Sequence, residues 1–260
     1  MVNLQNKIVL ITGASSGIGH ACARLFAKNG AKLILCARRQ ERIEQLAQDL
    51  ETMHKTECLV ITLDVQDKSK VESTLSTLPA EWQAVSVLIN NAGLALSSDP
   101  IQQGSIANWE VMIDTNIKGL LYVTRNILPG MLTRQEGHII NIGSIAGQEC
   151  YPNGNVYCAT KHAVRAISKS MRMDLLGSPI RVTEIAPGAV ETEFSEVRWN
   201  DKDKAKAFYQ DFNPLFAEDI ADAAYYCATR PQHVDIAELT IMPTAQPSAT
   251  SIYRAGKKLQ

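Results

Sequence analysis

The chain has 260 residues, 45% of them hydrophobic and 20% charged, with a net charge of −1. That length suits one large α/β domain, and near-neutral charge without a long basic run argues against nucleic acid or an anionic membrane as the main partner. Six scattered cysteines, with no Cys-x-x-Cys and no histidine at metal spacing, predict free thiols in a reducing compartment and no bound metal. Residues 1–7 lack a basic segment followed by an apolar one, and no apolar run approaches the ~18 residues of a membrane span. A soluble, cytoplasmic protein is expected.

Short apolar, β-branched runs alternate with longer amphipathic stretches. The first run, 8–12, leads into Thr12-Gly13-Ala14-Ser15-Ser16-Gly17-Ile18-Gly19 and then a helix over 18–28, with apolar Ile18, Cys22, Leu25 and Phe26 and a stop at Asn29-Gly30. Glycines at this junction permit a tight turn and close backbone approach, and the helix N-terminus offers free N–H groups to a phosphate. The second run, 32–36, ends in Cys36-Ala37-Arg38-Arg39, with no carboxylate before Glu41. NAD sites place an acid at this point for the ribose 2′-hydroxyl, whereas a guanidinium donates two parallel bonds to a 2′-phosphate. The reading is NADP(H) rather than NAD(H), against the alternative of two solvated arginines starting a helix.

Further strands are expected at 58–63, 85–89, 138–142, 181–185 and 239–242, mostly apolar on both faces, as in a parallel sheet covered by helices on both sides. No linker or repeat divides the chain. Two regions break the alternation. Residues 187–216 begin with Pro187-Gly188 and carry Phe194, Trp199, Phe208, Tyr209 and Phe212, a composition suited to a mobile lid at the carboxyl edge of the sheet. The tail at 243–260, rich in Ala, Ser and Thr, is frayed or docks on a neighbouring subunit.

Thirteen residues after Ser144 stands Tyr157-Cys158-Ala159-Thr160-Lys161. Tyr and Lys four apart share one helix face. A free phenol, with a pKa near ~10, is a poor base at neutral pH, and lowering it by about 3 units needs about 4 kcal/mol. One cation ~4 Å away supplies roughly that at an effective dielectric of ~20, so Lys161 alone is expected to poise Tyr157.

In this order Thr12–Gly19, Asp64-Val65, Asn90-Asn91-Ala92-Gly93, Asn116, Ser144, Tyr157-x-x-x-Lys161 and Pro187-Gly188 resemble the short-chain dehydrogenases/reductases over nearly the whole chain. The resemblance implies one Rossmann-type α/β domain over 1–260, with a doubly wound seven-stranded parallel sheet in order 3-2-1-4-5-6-7. It implies a catalytic tetrad of Asn116, Ser144, Tyr157 and Lys161, with Ser144 and Tyr157 also on the substrate. The cofactor residues it implies are Gly13, Ser15, Ser16, Gly17, Ile18, Gly19, Arg38, Arg39, Asp64, Val65, Asn91, Ala92, Gly93, Tyr157, Lys161, Pro187, Gly188, Val190 and Thr192. Ser144 donates to the substrate oxygen, Tyr157 exchanges the proton, Lys161 also holds the nicotinamide ribose, and Asn116 orients Lys161 through a water.

Four stretches outside the shared core, at 137–147, 151–157, 192–198 and 229–246, are similar to the NADP-dependent 3-hydroxy acid dehydrogenases, a branch with members active on serine and allo-threonine. Ala189-Val190-Glu191 stands where bacterial members often carry extra glycine. A hydroxy acid needs a cation for its carboxylate. Arg198 in the lid is the candidate, with a plain surface arginine as the alternative; Glu191, Glu193 and Glu196 would otherwise repel an acid. Gln148 and Asn153 are further residues that face substrate or simply belong to a polar loop, while His162, Trp82 and Trp109 are read as packing residues. Expected function is NADP(H)-dependent interconversion of a small 3-hydroxy acid and its carbonyl, in a homotetramer whose helices at 109–128 and 155–173 pair between subunits. The alternatives are a broad carbonyl or diketone reductase and, from a different class, a silent cofactor-sensing protein.

Overall fold

The computed structural model describes residues 2–255; the end of the expected tail, 256–260, lies outside them. Seven parallel strands form one sheet: β1 Ile8–Thr12, β2 Lys32–Ala37, β3 Cys58–Thr62, β4 Val85–Asn90, β5 His138–Ile142, β6 Arg181–Pro187 and β7 Glu238–Ile241. Their order is β3-β2-β1-β4-β5-β6-β7, as expected. Strand ends differ from the apolar runs by a residue or two because interstrand pairing sets them. Thus β6 runs on to Pro187, which pairs with Ile241, and β7 begins at Glu238, opposite Glu184.

Helices α1 Gly17–Lys28, α2 Gln40–His54 and α3 Lys68–Ser76 follow the first three strands. After β4 come α4 Ile106–Ile113, a π-helical turn Asp114–Gly119 and α5 Leu120–Arg134. Then α6 Asn155–Asp174 precedes β6, and α9 Ala217–Ala228 precedes β7. The two sheet faces bury separate cores. Phe26, Ile43, Leu46 and Ile220 pack on Val9, Ile11, Leu33 and Leu35, whereas Val123, Ile127, Met131 and Val71 pack on Leu10, Ile34, Leu88 and Ile139. This division follows from the period of two along each strand.

The lid region folds into two short helices, α7 Phe194–Trp199 and α8 Lys202–Phe208. Tyr209 stitches it down, donating to Val190 O at 2.7 Å and meeting Ser195 Oγ at 2.7 Å. Between 243 and 255 the tail packs on its own chain. Gln246 is buried and accepts from Ala189 N, and Arg254 donates to Phe208 O and Gln210 O beneath its stack on Phe212. The tail therefore clamps the lid. All six cysteines are free. Among the described residues no group could hold a metal ion, and no helix is long and apolar enough to cross a membrane.

Candidate active site

A cavity of about 610 Å³ opens along the carboxyl ends of the strands, where a doubly wound sheet reverses its strand order. Its floor at one end is the β1–α1 turn. Gly13 and Gly17 have φ of +67° and +53°, a region a side chain rarely adopts. Asn91 ties this turn to the end of β4: its Nδ2 donates to Thr12 O at 2.9 Å and Gly13 O at 3.2 Å, while Thr12 Oγ1 accepts from Asn91 N and Ala92 N. The wall beside the turn carries Arg38, Arg39, Asp64 and Val65. Arg39 donates to Ser15 Oγ at 3.1 Å and Ser16 Oγ at 2.6 Å, and Arg38 lies 3.8 Å from Asp64.

At the other end of the cavity stand Ser144, Tyr157 and Lys161. Ser144 begins a single 3₁₀ turn after β5, its Oγ accepting from Ala146 N at 3.1 Å. Tyr157 and Lys161 project from the first turns of α6 and are both buried. Lys161 donates to Ile142 O at 2.9 Å, and its Nζ lies 6.0 Å from the centre of the Tyr157 ring. Burial brings the Lys161 ammonium down to about 8, opposed by the Glu184 carboxyl. Burial also pushes the Tyr157 phenol up; the neighbouring Tyr151 phenol adds to this, while the Ser144 hydroxyl and Arg198 act in the opposite sense. Lys161 alone is thus not enough to poise Tyr157. Desolvation of both partners favours their neutral forms, and a four-residue spacing carries no sign of it.

Arg198 reaches the same end of the cavity. Its guanidinium lies 5.6 Å from the Tyr157 ring and 5.5 Å from the Tyr151 ring, and it donates to Tyr151 Oη at 3.1 Å. Its buried Nε has no hydrogen-bond partner. Phe194 covers Tyr157 from the lid, with ring centres 5.6 Å apart.

Of the residues expected at the site, two stand behind the cavity rather than on its wall. Gly19 packs the first helix: a Cβ there would lie 2.5 Å from Gly13 O and from Asn91 Nδ2. Asn116 sits in the π-helical turn, where its Oδ1 accepts from Leu94 N at 2.9 Å and its Nδ2 donates to Leu94 O at 2.8 Å and Thr160 Oγ1 at 3.0 Å. Its amide is used on the loop after β4 and on Lys161's neighbour in α6. π-turns of this kind cluster at functional sites, and only tertiary packing reveals this one.

Gln148 turns away and donates to Thr240, whereas Asn153 lines the cavity. His162 bonds Cys158 O, Trp82 is buried and Trp109 packs against the small core cluster that contains Leu94, all three as expected. Glu193 does not face the catalytic end; its carboxylate joins Arg39 and Arg42. Tyr151 was missed as a site residue, although it opens one of the branch-specific stretches. Its pairing with Arg198 spans 47 residues and leaves no local pattern.

The family model for short chain dehydrogenase matches residues 7–203. The chain belongs to the short chain dehydrogenase family. An NADP-dependent 3-hydroxy acid dehydrogenase of Salmonella typhi is 47% identical over 251 residues, 95% of this chain and 100% of that protein. Sulfoacetaldehyde reductase 2 of Chromohalobacter salexigens is also 47% identical, over 93% of this chain and 96% of its own. Among solved structures, the closed form of serine dehydrogenase complexed with NADP+ superposes with a TM-score of 0.87 at 45% identity, covering 97% of this chain and 99% of that one. This short chain dehydrogenase is an oxidoreductase acting on a hydroxyl or carbonyl group.

Proposed function

We propose that this enzyme transfers hydride between NADP(H) and a small 3-hydroxy acid of the serine, allo-threonine or 3-hydroxybutyrate type. The donor set fits the cofactor: a glycine turn with free backbone approach, and Arg39 beside Ser15 and Ser16, with Arg38 on the adjoining wall, where a 2′-phosphate would sit. The nicotinamide supplies or accepts the hydride. The protein does the rest. Tyr157 takes the proton from the alcohol or returns it to the carbonyl, and Ser144 donates to the same oxygen. Lys161 keeps a positive charge near the phenol, and Asn116 holds the loop after β4 against α6. Gly13, Ser15, Ser16, Gly17 and Ile18 cradle the phosphates, with Gly19 packing the helix behind them. Asp64 and Val65 flank the adenine. Asn91, Ala92, Gly93, Pro187, Gly188, Val190 and Thr192 line the rest of the cofactor channel.

The observation that carries the substrate reading is Arg198: a guanidinium against Tyr157 with a buried, unpartnered Nε is a ready carboxylate anchor. The test is kcat/KM for serine or 3-hydroxybutyrate against lactate and a neutral alcohol, in wild type and Arg198→Ala. Misplacement by about 1 Å costs ~10²-fold, so a fixed cation should favour the 3-hydroxy over the 2-hydroxy acid. Loss confined to the acids is expected; equal loss on all substrates would reduce Arg198 to lid support. A sulfonated aldehyde belongs in the panel, since the same cation suits a sulfonate.

The same reading makes 1–260 one domain and the protein a cytoplasmic homotetramer of two-fold symmetry. Six free thiols suit a reducing compartment, and exposed Ile106, Ile113 and Leu121 on α4 and α5 with Met173 at the end of α6 suit helix pairing between subunits.

A further inference from the structure

The root of the lid is bound to α2 by one carboxylate. Glu193, the residue before α7, places Oε2 2.8 Å from Arg39 Nη1 and Oε1 2.6 Å from Arg42 Nη1. Among the described residues no other ion pair joins the lid to α2. Arg39's remaining donors are on Ser15 and Ser16. Two guanidiniums one helical turn apart thus converge on a single anion, and two hydroxyls accept from Arg39 beside it. Burial works against the charge on Glu193, yet the two arginines hold its carboxyl below the usual range.

Two guanidiniums carry more charge than a single carboxylate balances. A carboxylate offers two acceptor oxygens and one charge; a phosphate monoester offers three oxygens and close to two charges at neutral pH. Arg39 also lies on the cavity wall assigned above to the 2′-phosphate, so carboxylate and phosphate claim the same guanidinium.

We propose that Glu193 is a stand-in for the 2′-phosphate of the cofactor: the two compete for Arg39 and Arg42, so phosphate binding releases the lid root from α2. This rests on the NADP(H) reading above. Arg42, which lies outside the cavity lining, becomes a second phosphate partner once Glu193 lets go. A cofactor without the 2′-phosphate leaves the latch closed, and cofactor preference is then written partly in the lid rather than only at the end of β2.

The test uses 2′-AMP and 5′-AMP as probes, titrated calorimetrically into the full-length protein. Exposed charge pairs are individually weak, so Glu193→Gln should tighten 2′-AMP by about three- to tenfold and leave 5′-AMP unchanged. Adding Arg42→Gln to that variant should weaken 2′-AMP again, severalfold. Hydrogen exchange of the 190–200 amides should rise on adding 2′-AMP to wild type and be high without it in Glu193→Gln. Equal 2′-AMP affinity in wild type and Glu193→Gln would overturn the competition. If 2′-AMP binds wild type no better than 5′-AMP, the NADP(H) reading falls and the proposal with it.

Discussion

Replacing Glu184 by glutamine removes a charge from the interior while keeping the side chain's shape, and the stabilisation that results should grow with pH. Glu184 lies mid-sheet on β6 with 0% exposure, and neither carboxyl oxygen has a partner. Its side chain presses on Gly143, where a Cβ would come within 2.3 Å of Oε1. Burial, with Glu238 across the strand pair, raises the carboxyl from 4.5 to about 7, against the pull of Arg165, Lys161 and Arg172. A raised folded-state pKa means that the protonated form is favoured by folding. The associated stability is complete below the unfolded value near 4.5, falls as pH rises, and is gone above about 7. A displacement of that size corresponds to about 3 kcal/mol. The amide cannot ionise, so the variant escapes this loss. Urea unfolding of both proteins at pH 5, 7 and 8.5, at one protomer concentration, measures the difference directly. It should widen by about 2–3 kcal/mol in favour of the variant between the lowest and highest pH. A difference that stays constant across this range would show that Glu184 does not titrate there, and the electrostatic account of the site's underside would fail.

Tyr157→Phe keeps ring packing against Phe194 and removes the proton donor, so kcat should fall roughly 10²–10⁴-fold with the fold intact by circular dichroism; near-normal turnover would sink the assigned mechanism. Arg38→Asp should move preference from NADP(H) towards NAD(H) in paired kcat/KM measurements, and an unchanged ratio would hand the role to Arg39, which already holds Ser15 and Ser16. Light scattering at micromolar concentration should give a tetramer mass, and a monomer would refute the assembly.

Much of this molecule is legible in its sequence. Seven apolar runs mark the seven strands; the inner five are buried on both faces and so mostly apolar, while the edge strands β3 and β7 are only partly covered. The glycine turn and the Tyr157–Lys161 pair are likewise local: a positive φ and a four-residue helical spacing are properties of neighbouring residues. Strand order came from the family resemblance and not from periodicity, which carries no information on which strands meet. What tertiary structure alone decided lies in long-range contacts. Glu193 reads as one more acid in the lid, and only folding brings it to an arginine 154 residues away. Arg198 lies near the lid's start in any reading, but its seat between Tyr151 and Tyr157 depends on how α7 meets the loop before α6. Asn116 needs a π-turn to reach Leu94 and Thr160, and nothing in its neighbours marks that turn. Glu184 looks like a surface charge by type and is the most buried acid in the sheet. Local pattern reports backbone conformation and the facing of side chains; partners, desolvation and the charge that survives it are set only where distant segments pack together.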